Sequence, residues 1–231
     1  MKIMTFNTQH CLNYVTNKID FEVMAKVITE LDPDVVGLNE MRGLGSSPEY
    51  TEQVERLAQL TGMKYFYFAP ALRMACGPYG NGILSKFPIK KLERVMIPAP
   101  AAQIYRKDYY ETRCILKAEI EGVTFLITHI GLNPDEKINA VRLIIENLAS
   151  EKCVLMGDFN MIPTDPILAP VFDRMTDTAK CLDSDKKSFP SDAPRIKIDY
   201  ILISGDGRTV SADIPSIIAS DHLPYIAEVE F

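Results

Sequence analysis

Residues 154–163 read VLMGDFNMIP, and this stretch holds the main clue to the fold. Its first three residues are apolar, as in a strand that is buried on both faces. The run ends in Asp158 and Asn160, polar side chains that are costly to bury unless they pair, bind a metal or take part in catalysis. The stretch therefore predicts a buried strand, and the reason for its polar end depends on where similar groups recur along the chain.

The composition of the chain is typical of a globular protein. Its 231 residues are 47% hydrophobic and 24% charged, and we expect a single domain over residues 1–231. The net charge of −6 comes from 25 basic and 31 acidic residues. This balance disfavours a long nucleic-acid track, although it is compatible with a local basic patch.

The sequence shows no membrane or secretion signal. Its longest apolar runs have the length of a strand, well short of the ~20 residues that a membrane-spanning helix needs. The N-terminus lacks the apolar core of a signal peptide, so we expect a cytoplasmic protein, while a signal removed beforehand would leave the same sequence. Five widely separated cysteines without a CxxC pair indicate reduced side chains rather than disulfides or a zinc site.

Short runs rich in β-branched and aromatic residues predict the strands. Glu121 and Gly122 separate two of these runs and predict a hairpin turn. Residues 163–195 have weak periodicity and many Pro, Asp and Ser residues, which indicates a long surface segment near a site. The predicted strands are KIMTFN, DVVGLNE, KYFYFAP, NGILSK, RCILKAEI, VTFLITH, KCVLMGD, KIDYILI and PYIAEVEF.

Three amphipathic patterns predict helices between these strands. The first pattern runs from Phe21 to Leu31 after Asp20, which is a good N-cap. The second ends at Gly62, a favourable C-cap, and the third begins at Asn133 with the pattern of a capping box. The predicted buried stripes are Phe21, Met24, Ala25, Ile28 and Leu31 in the first helix, Tyr50, Val54, Leu57 and Leu60 in the second, and Ile138, Val141, Ile145 and Leu148 in the third.

The order of these elements indicates the fold class. Strands alternate with helices in the first part of the chain, and adjacent strands follow one another elsewhere. This mixture favours an α/β protein with layers around more than one sheet over a purely parallel sheet.

Polar side chains recur at the ends of the strand-like runs. Alone, each has an ordinary structural explanation, such as a turn asparagine, a capping carboxylate or a core histidine. His10 lacks such a pattern, and we expect it to be structural or peripheral. The recurrence in many motifs favours one shared site. The set comprises Asn7, Glu40, His129, Asp158, Asn160, Asp199, Asp221 and His222.

These residue types are suited to metal-assisted chemistry on phosphate. Oxygen ligands from Glu40, with Asn7 and Asp221, suit Mg²⁺ or Mn²⁺, whereas zinc prefers more His and Cys. A histidine beside an aspartate is held in one tautomer and is stabilised when it takes up a proton. Asn160 and His129 are able to donate hydrogen bonds to charge that develops on phosphate oxygens.

At these residues the chain resembles the endonuclease/exonuclease/phosphatase superfamily, which includes DNase I, AP endonucleases, neutral sphingomyelinases and inositol polyphosphate 5-phosphatases. Each short motif is weak evidence, but the set appears in the family's order from one end of the chain to the other. The motifs are TFN at Asn7, LNE at Glu40, YGNGILSK at Asn81, TH at His129, GDFN at Asp158 and Asn160, KIDYI at Asp199, and SDHLP at Asp221 and His222.

The resemblance implies a DNase I-like α/β fold: a four-layer αββα sandwich of two mixed β-sheets flanked by helices. It implies that Glu40 is the principal metal ligand, with Asn7 beside it as a ligand or phosphate contact and Asp221 on the metal side. It also implies that His222, paired with Asp199, deprotonates or polarises an attacking water.

The remaining site residues are also carried over from the resemblance. Asp158 corresponds to the aspartate that orients the nucleophile or serves the leaving group, and Asn160 to a donor to the transition state. His129 stands where DNase-like and sphingomyelinase-like members keep a histidine. Arg113 and Asn81 correspond to substrate-binding positions, although Arg113 is equally well explained as a surface cation at a strand start.

The implied activity is metal-dependent phosphoester hydrolysis by in-line attack of water. The acidic balance and the absence of tryptophan favour a small or lipid-like phosphoester over double-stranded DNA. The alternatives are a Mg²⁺-dependent nuclease and a non-catalytic binding module with the same fold. The oligomeric state stays open.

Two segments are the best candidates for specificity loops, because they flank the cleft in such folds. They are residues 73–80 (RMACGPYG) and residues 98–110. In the second segment, Arg106 and Lys107 are either contacts for an anionic substrate or ordinary solvated charges. Phe189 either lines the substrate mouth or packs on the sheet, and packing is the simpler expectation.

Overall fold

The computed structural model describes residues 1–105, 109–182 and 185–231. Its strands are β1 (Lys2–Asn7), β2 (Leu12–Asn13), β3 (Lys18–Ile19), β4 (Val35–Arg42), β5 (Tyr65–Met74), β6 (Gly77–Ser85), β7 (Ile89–Ile97), β8 (Arg113–Ile120), β9 (Val123–His129), β10 (Cys153–Asp158), β11 (Met175–Asp177), β12 (Asp199–Ser204), β13 (Arg208–Asp213) and β14 (Tyr225–Glu230). Its α-helices are α1 (Phe21–Leu31), α2 (Gln53–Thr61), α3 (Pro134–Asn147) and α4 (Ala169–Phe172).

The strands form two mixed six-stranded sheets and a small β2–β3 ladder. The first sheet has the order β13-β14-β1-β4-β6-β5, and the second has the order β11-β12-β10-β9-β8-β7. The central pairs are parallel, β1 with β4 and β9 with β10. Their outer neighbours run antiparallel, so each sheet is mixed.

Alternation along the central strands explains the layers. In β10, Val154 and Met156 belong to the core between the sheets, while Cys153 and Leu155 face the helices over the second sheet. A strand that is covered on both faces needs apolar residues at every position. This packing accounts for the continuous apolar run that opens the 154–163 stretch.

The helices cover the outer faces of the two sheets. The first sheet packs against α1 and α2, and the second sheet packs against α3 and α4. The predicted four-layer αββα sandwich of two mixed sheets is therefore confirmed. Among the described residues, no helix is long and apolar enough to cross a membrane.

Local capping residues correctly predicted one end of each of the three helices. Asp20 accepts a hydrogen bond from the backbone N–H of Val23 and caps α1, while Gly62 ends α2 with a φ of 72°. In the first turn of α3, the carboxylate of Glu136 accepts from the backbone N–H of the N-cap residue Asn133 at 3.1 Å. All three predicted helices are present.

Parts of the predicted buried stripes are wrong. In α3 the predicted position Val141 is buried, but Ile138 is 58% exposed, and the other buried positions are Glu136, Ala140 and Ile144. Tyr50 is buried but lies before the first residue of α2. Capping at Glu136 orients the start of α3 toward the neighbouring loop, which the apolar spacing alone does not reveal.

Three edge strands were missed by the sequence patterns. β7, β11 and β13 lie at the outer edges of the two sheets, and most of their residues are exposed or half-buried. Edge strands carry polar and charged residues on their open side, which hides the strand pattern. The expectation of a surface segment over residues 163–195 is also only partly right, because β11 and α4 lie in it and bury Val171 and Met175.

Candidate active site

The topology gathers several strand ends at one edge of both sheets. The parallel strands β1 and β4 end at Asn7 and near Glu40, and the parallel strands β9 and β10 end at His129 and Asp158. Because β12 and β14 run antiparallel to these strands, Asp199 and the 215–224 segment start from the same edge. Groups that are far apart in sequence therefore meet here.

A bulge in β4 sets the position of Glu40. The pairing of β4 with β6 shifts register between Leu38 and Met41, and Glu40 has a φ of 63°. A non-glycine residue at positive φ is uncommon and is often found at functional sites. The irregularity turns the Glu40 carboxylate toward the end of β1.

Asn7 joins two carboxylates. Its Nδ2 donates to Glu40 Oε1 at 3.1 Å and to Asp158 Oδ2 at 3.1 Å, while its Oδ1 accepts from the backbone N–H of Gln9. The Asn7 side chain is fully buried. It therefore holds Glu40 and Asp158 in a fixed relation, and its predicted role as a metal ligand stays a prediction.

His222 and Asp199 form a short buried pair. His222 Nδ1 lies 2.8 Å from Asp199 Oδ2, and its Nε2 lies 3.6 Å from Asp158 Oδ2. Burial lowers the pKa of His222, but the charges of Asp199 and Asp158 outweigh burial and raise this pKa to about 10. The tilted ring of Phe189 packs against the imidazole at a centroid distance of 4.8 Å.

Asp158 lies at the centre of the cluster. Its Oδ1 accepts from the backbone N–H of Asn160 at 2.9 Å, and its Oδ2 faces Asn7, His129 and His222. Burial raises the pKa of Asp158 to about 7, with a further contribution from Asp199, although His222 opposes the shift. A carboxyl group with such a pKa is able to give or take a proton near neutral pH.

His129 is enclosed by three polar side chains. Its Nδ1 lies 3.1 Å from Arg113 Nη1, and its Nε2 lies 3.1 Å from Asn160 Nδ2 and 3.4 Å from Asp158 Oδ2. Burial, together with the charges of Arg113 and His222, lowers the pKa of His129 well below its usual value. The imidazole is therefore neutral at physiological pH.

Glu40 and Asp221 are the predicted metal ligands, and their role as ligands stays a prediction. Burial raises the pKa of Glu40; the Asn7 hydrogen bond opposes this shift and the charge of Asp221 adds to it. Two carboxylates that repel each other at one edge are suited to an Mg²⁺ or Mn²⁺ ion, because both ions prefer oxygen ligands.

A second group of possible metal ligands consists of Asp158, Asp199 and His222, whose ligand atoms lie within 4.8 Å of one another. The same three residues are the predicted catalytic group, and both roles stay predictions. The His222 ring is already hydrogen-bonded to Asp199, and a hard cation favours oxygen over nitrogen.

The sequence patterns missed Asn39, which lies directly beneath the site. Its Nδ2 donates to Asn81 Oδ1 at 2.8 Å and to the Thr128 carbonyl at 3.1 Å, and its Oδ1 accepts from the backbone N–H of Asp158 at 2.9 Å. Asn39 thus connects β4 of one sheet to β9 and β10 of the other. The only available signal was its place directly before Glu40 in the LNE motif.

Gly157 allows this close approach of the sheets. It has a φ of 140°, and a Cβ at this position would lie 1.8 Å from the Thr128 carbonyl oxygen. Only glycine fits such a position. The glycine of the GDFN motif is therefore required by backbone packing under the site.

Asn81 lies below the cluster rather than facing outward. Its Oδ1 accepts from Asn39, its Nδ2 donates to the Cys114 carbonyl at 3.0 Å, and the side chain is 2% exposed. This arrangement gives Asn81 a supporting position. A direct contact with substrate stays a prediction for Asn81, as it does for Arg113, which is paired with Glu111 at 2.7 Å.

Residues 73–80 and the described residues of the 98–110 segment lie at the edge of the sheets that carries the site. The β5–β6 turn is next to the end of β4, and the segment between β7 and β8 is next to the end of β9. Arg106 and Lys107, the predicted anionic-substrate contacts, lie outside the described residues. Cys11, Cys114 and Cys153 are buried, Cys76 and Cys181 are exposed, and the reduced state stays a prediction.

Comparisons with known proteins agree with this architecture. The chain is an α/β sandwich of two sheets with a buried His–Asp pair beside clustered carboxylates. The model of the endonuclease/exonuclease/phosphatase family matches residues 4–222, and the chain belongs to this family. Members of the family are hydrolases that act on phosphoesters, which supports a hydrolase of this general kind. No curated protein shows a significant match.

Solved structures with the same fold cover the whole chain. A family protein from Leptotrichia buccalis is 20% identical with a TM-score of 0.75, and the alignment covers 100% of both chains. A mannosyl-6-phosphatase from Bacteroides thetaiotaomicron is 15% identical with a TM-score of 0.76, again over 100% of both. Humanized D. rerio TDP2 is 18% identical with a TM-score of 0.68, over 100% of this chain and 99% of the other.

Proposed function

We propose that this protein is a metal-dependent phosphoester hydrolase that acts on a small or lipid-like phosphoester by in-line attack of water. The observation that carries the proposal is the contact of 2.8 Å between His222 Nδ1 and Asp199 Oδ2. The other nitrogen of the same imidazole, Nε2, lies 3.6 Å from Asp158 Oδ2. Asn7 links Asp158 to Glu40.

His222 and Asp199 activate the nucleophile. Asp199 accepts the Nδ1–H. With a pKa of about 10, the ring also holds a proton on Nε2 at neutral pH, 3.6 Å from Asp158, so His222 takes a proton from water only after this Nε2 proton has passed to Asp158. The carboxylates that raise the pKa of His222 also stabilise the imidazolium that forms. Asp158, with its pKa near 7, orients the water or supplies a proton to the leaving oxygen.

Asn160 and His129 stabilise the transition state. His129 Nε2 and Asn160 Nδ2 lie 3.1 Å apart beside Asp158, and the two side chains are held by Arg113 and by the Ile130 carbonyl. Fixed N–H donors in a water-poor site stabilise developing negative charge more strongly than mobile donors do.

The metal position is assigned to Glu40 and Asp221, with Asn7 holding Glu40 in place. A divalent cation bound there would offset negative charge on the phosphate oxygens. The oxygen-rich donor set and the repulsion between the two carboxylates support this assignment.

The net charge of the chain supports a small substrate over a DNA duplex. The chain carries a net charge of −6, whereas a protein that grips a duplex usually has a basic surface. The named activity of the mannosyl-6-phosphatase shows that this fold accommodates a small phosphomonoester. Cleavage of DNA is the alternative that the assay must include.

The test is a metal-dependent assay with the full chain. Bis(p-nitrophenyl) phosphate and p-nitrophenyl phosphate are offered with Mg²⁺, with Mn²⁺ and with EDTA, beside plasmid and an abasic oligonucleotide. We expect turnover of a small ester that EDTA abolishes. His222→Ala is expected to lower kcat by about 10²–10⁴-fold because the general base is lost.

His10→Asn is the matched control, since His10 lies outside the cluster, and it is expected to retain wild-type turnover. Wild-type turnover in His222→Ala would contradict the mechanism. Salt-sensitive cleavage of DNA without small-ester turnover would favour a nuclease. The absence of any turnover would favour a binding module.

A further inference from the structure

We propose that Arg113 is a positioning residue that fixes the tautomer of His129, so that His129 and Asn160 present two N–H donors to one substrate oxygen. This inference deepens the proposed function and rests on it for the identity of the acceptor. The tautomer itself is a property of the protein alone.

The contact with Glu111 holds the Arg113 guanidinium against the His129 ring. Its Nη2 pairs with Glu111 Oε2 at 2.7 Å, its Nη1 lies 3.1 Å from His129 Nδ1, and its side chain is only 11% exposed. Because Arg113 starts β8 and His129 ends the neighbouring strand β9, the sheet keeps the two side chains together. The guanidinium therefore has a fixed orientation.

The chemistry of the guanidinium decides which nitrogen of His129 carries the proton. Arginine has only donors and keeps its charge in proteins, so it is unable to accept a hydrogen bond from His129. Nδ1 must therefore accept, and it carries a lone pair. Burial and the neighbouring positive charges keep the ring neutral, which places its single proton on Nε2.

The orientation of the Asn160 amide is fixed independently. Asn160 Nδ2 lies 2.9 Å from the Ile130 carbonyl oxygen, to which it donates. Turning the amide over would bring its oxygen against that carbonyl, and two acceptors repel. The atom of Asn160 that lies 3.1 Å from His129 Nε2 is therefore an NH₂ nitrogen.

These two assignments leave a pair of donors facing each other. The Nε2–H of His129 and the second N–H of Asn160 are unable to bond to one another, since neither nitrogen accepts. Asp158 Oδ2 is 3.4 Å from Nε2, which is long for a hydrogen bond, and already accepts from Asn7. A phosphate oxygen that approaches both nitrogens would satisfy both donors at once.

Arg113 controls whether this donor pair exists. Without a donor at Nδ1, the other tautomer becomes favourable, because Nε2 would then accept from Asn160 over the existing 3.1 Å contact. The two side chains would satisfy each other, and neither of the two donors would remain for substrate. Loss of Arg113 is thus expected to weaken transition-state stabilisation through His129.

The test is ¹⁵N NMR of the full chain labelled at histidine, without substrate or metal, which is practical because the chain has three histidines. In the wild type we expect His129 Nδ1 to show the signal of an unprotonated imidazole nitrogen and Nε2 that of a protonated one. Arg113→Met is expected to exchange these signals. Arg113→Lys keeps a donor and is expected to retain the wild-type pattern.

Kinetic measurements test whether the tautomer of His129 affects catalysis. Arg113→Met is expected to lower kcat by about 10²-fold with a smaller change in KM, and Arg113→Lys is expected to recover part of kcat. Arg94→Met serves as the matched control, because Arg94 lies on β7 and its Nη1 donates to the Pro70 carbonyl. It is expected to leave both the His129 signals and kcat unchanged.

A protonated Nδ1 in the wild type would overturn the inference, even if no variant folds. An unchanged tautomer in Arg113→Met, with a raised KM alone, would also overturn it and make Arg113 a simple phosphate contact. The NMR result is independent of turnover. A protein with the expected tautomer and no hydrolysis would therefore contradict the proposed function and leave the tautomer assignment standing.

Discussion

Single side chains at the active-site edge owe their properties to burial and to close neighbours. His129 and His222 are the same residue type and both are buried, yet the pKa of one is lowered and that of the other is raised. The difference lies in their partners: Arg113 faces His129, whereas Asp199 faces His222. Opposite pKa shifts in one site are a common basis for distinct acid, base and donor roles.

The third histidine provides a test of pH-dependent stability. Burial and the charge of Arg42 lower the pKa of His10 to about 4, although Glu49 opposes the shift. In the unfolded chain this pKa is about 6.5. Below about pH 6.5 the unfolded state therefore takes up a proton that the folded state refuses, so the contribution of His10 to stability is lost as the pH falls toward 4.

We expect the free energy of unfolding of the wild type, measured by urea titration, to decrease relative to that of His10→Asn as the pH falls from 7 to 4.5. Asparagine does not titrate and tolerates the φ of 48° at this position. The raised pKa values of Asp158 and Glu40 and the lowered pKa of His129 act on both proteins alike and cancel in this difference. A difference between the two proteins that does not change with pH would show that His10 does not contribute.

At the scale of elements, the important feature is the polar connection between the two sheets. The core between them is apolar except near the active-site edge, where Asn39 of β4 bonds to groups on β6, β9 and β10. A buried amide with all its hydrogen bonds made fixes one register, because a shifted strand would leave polar groups unpaired. Asn39 therefore sets the relative position of Glu40 and Asp158.

Asn39→Ala is expected to lower the free energy of unfolding by roughly 2–5 kcal/mol, because it leaves the Asp158 N–H and the Asn81 oxygen buried without a partner. Urea denaturation measures this change. Asn139→Ala is the matched control: its amide is exposed and donates to the Pro98 carbonyl, so we expect a change within about 0.5 kcal/mol. Similar losses in both variants would contradict a special role for Asn39.

The same scale shows what the sequence patterns predict and what they miss. Helix ends were predictable because capping is local, as at Asp20 and Gly62. The buried face of α3 was not, since Ile138 has the spacing of a core residue but is exposed. Which side of a helix is buried depends on the packing against other elements, and spacing alone leaves alternatives.

For the whole molecule, the core between the sheets supports the site at their common edge. This core contains residues from both sheets, with Phe125 of β9 among its largest fully buried side chains. Two sheets packed face to face interdigitate their inner side chains, so a cavity there affects both.

Phe125→Ala is expected to lower the free energy of unfolding by about 3–5 kcal/mol because it removes a buried ring and leaves a cavity. Denaturant titration followed by circular dichroism measures this loss. Phe66→Ala is the control, since Phe66 is 41% exposed near the start of β5 and should cost much less. Comparable costs would mean that the core between the sheets is not the main source of stability.

The sequence by itself determined the family, the sandwich class and the candidate residues, because the motifs are local and a strand buried on both faces has a continuous apolar pattern. The tertiary structure alone decided how these residues relate to one another: Asn39 beneath the site, Asn81 turned inward, and Arg113 against Nδ1 of His129. Hydrogen-bond partners far apart in the chain leave no local signal. They are defined only when the two sheets pack and bring their strand ends to one edge.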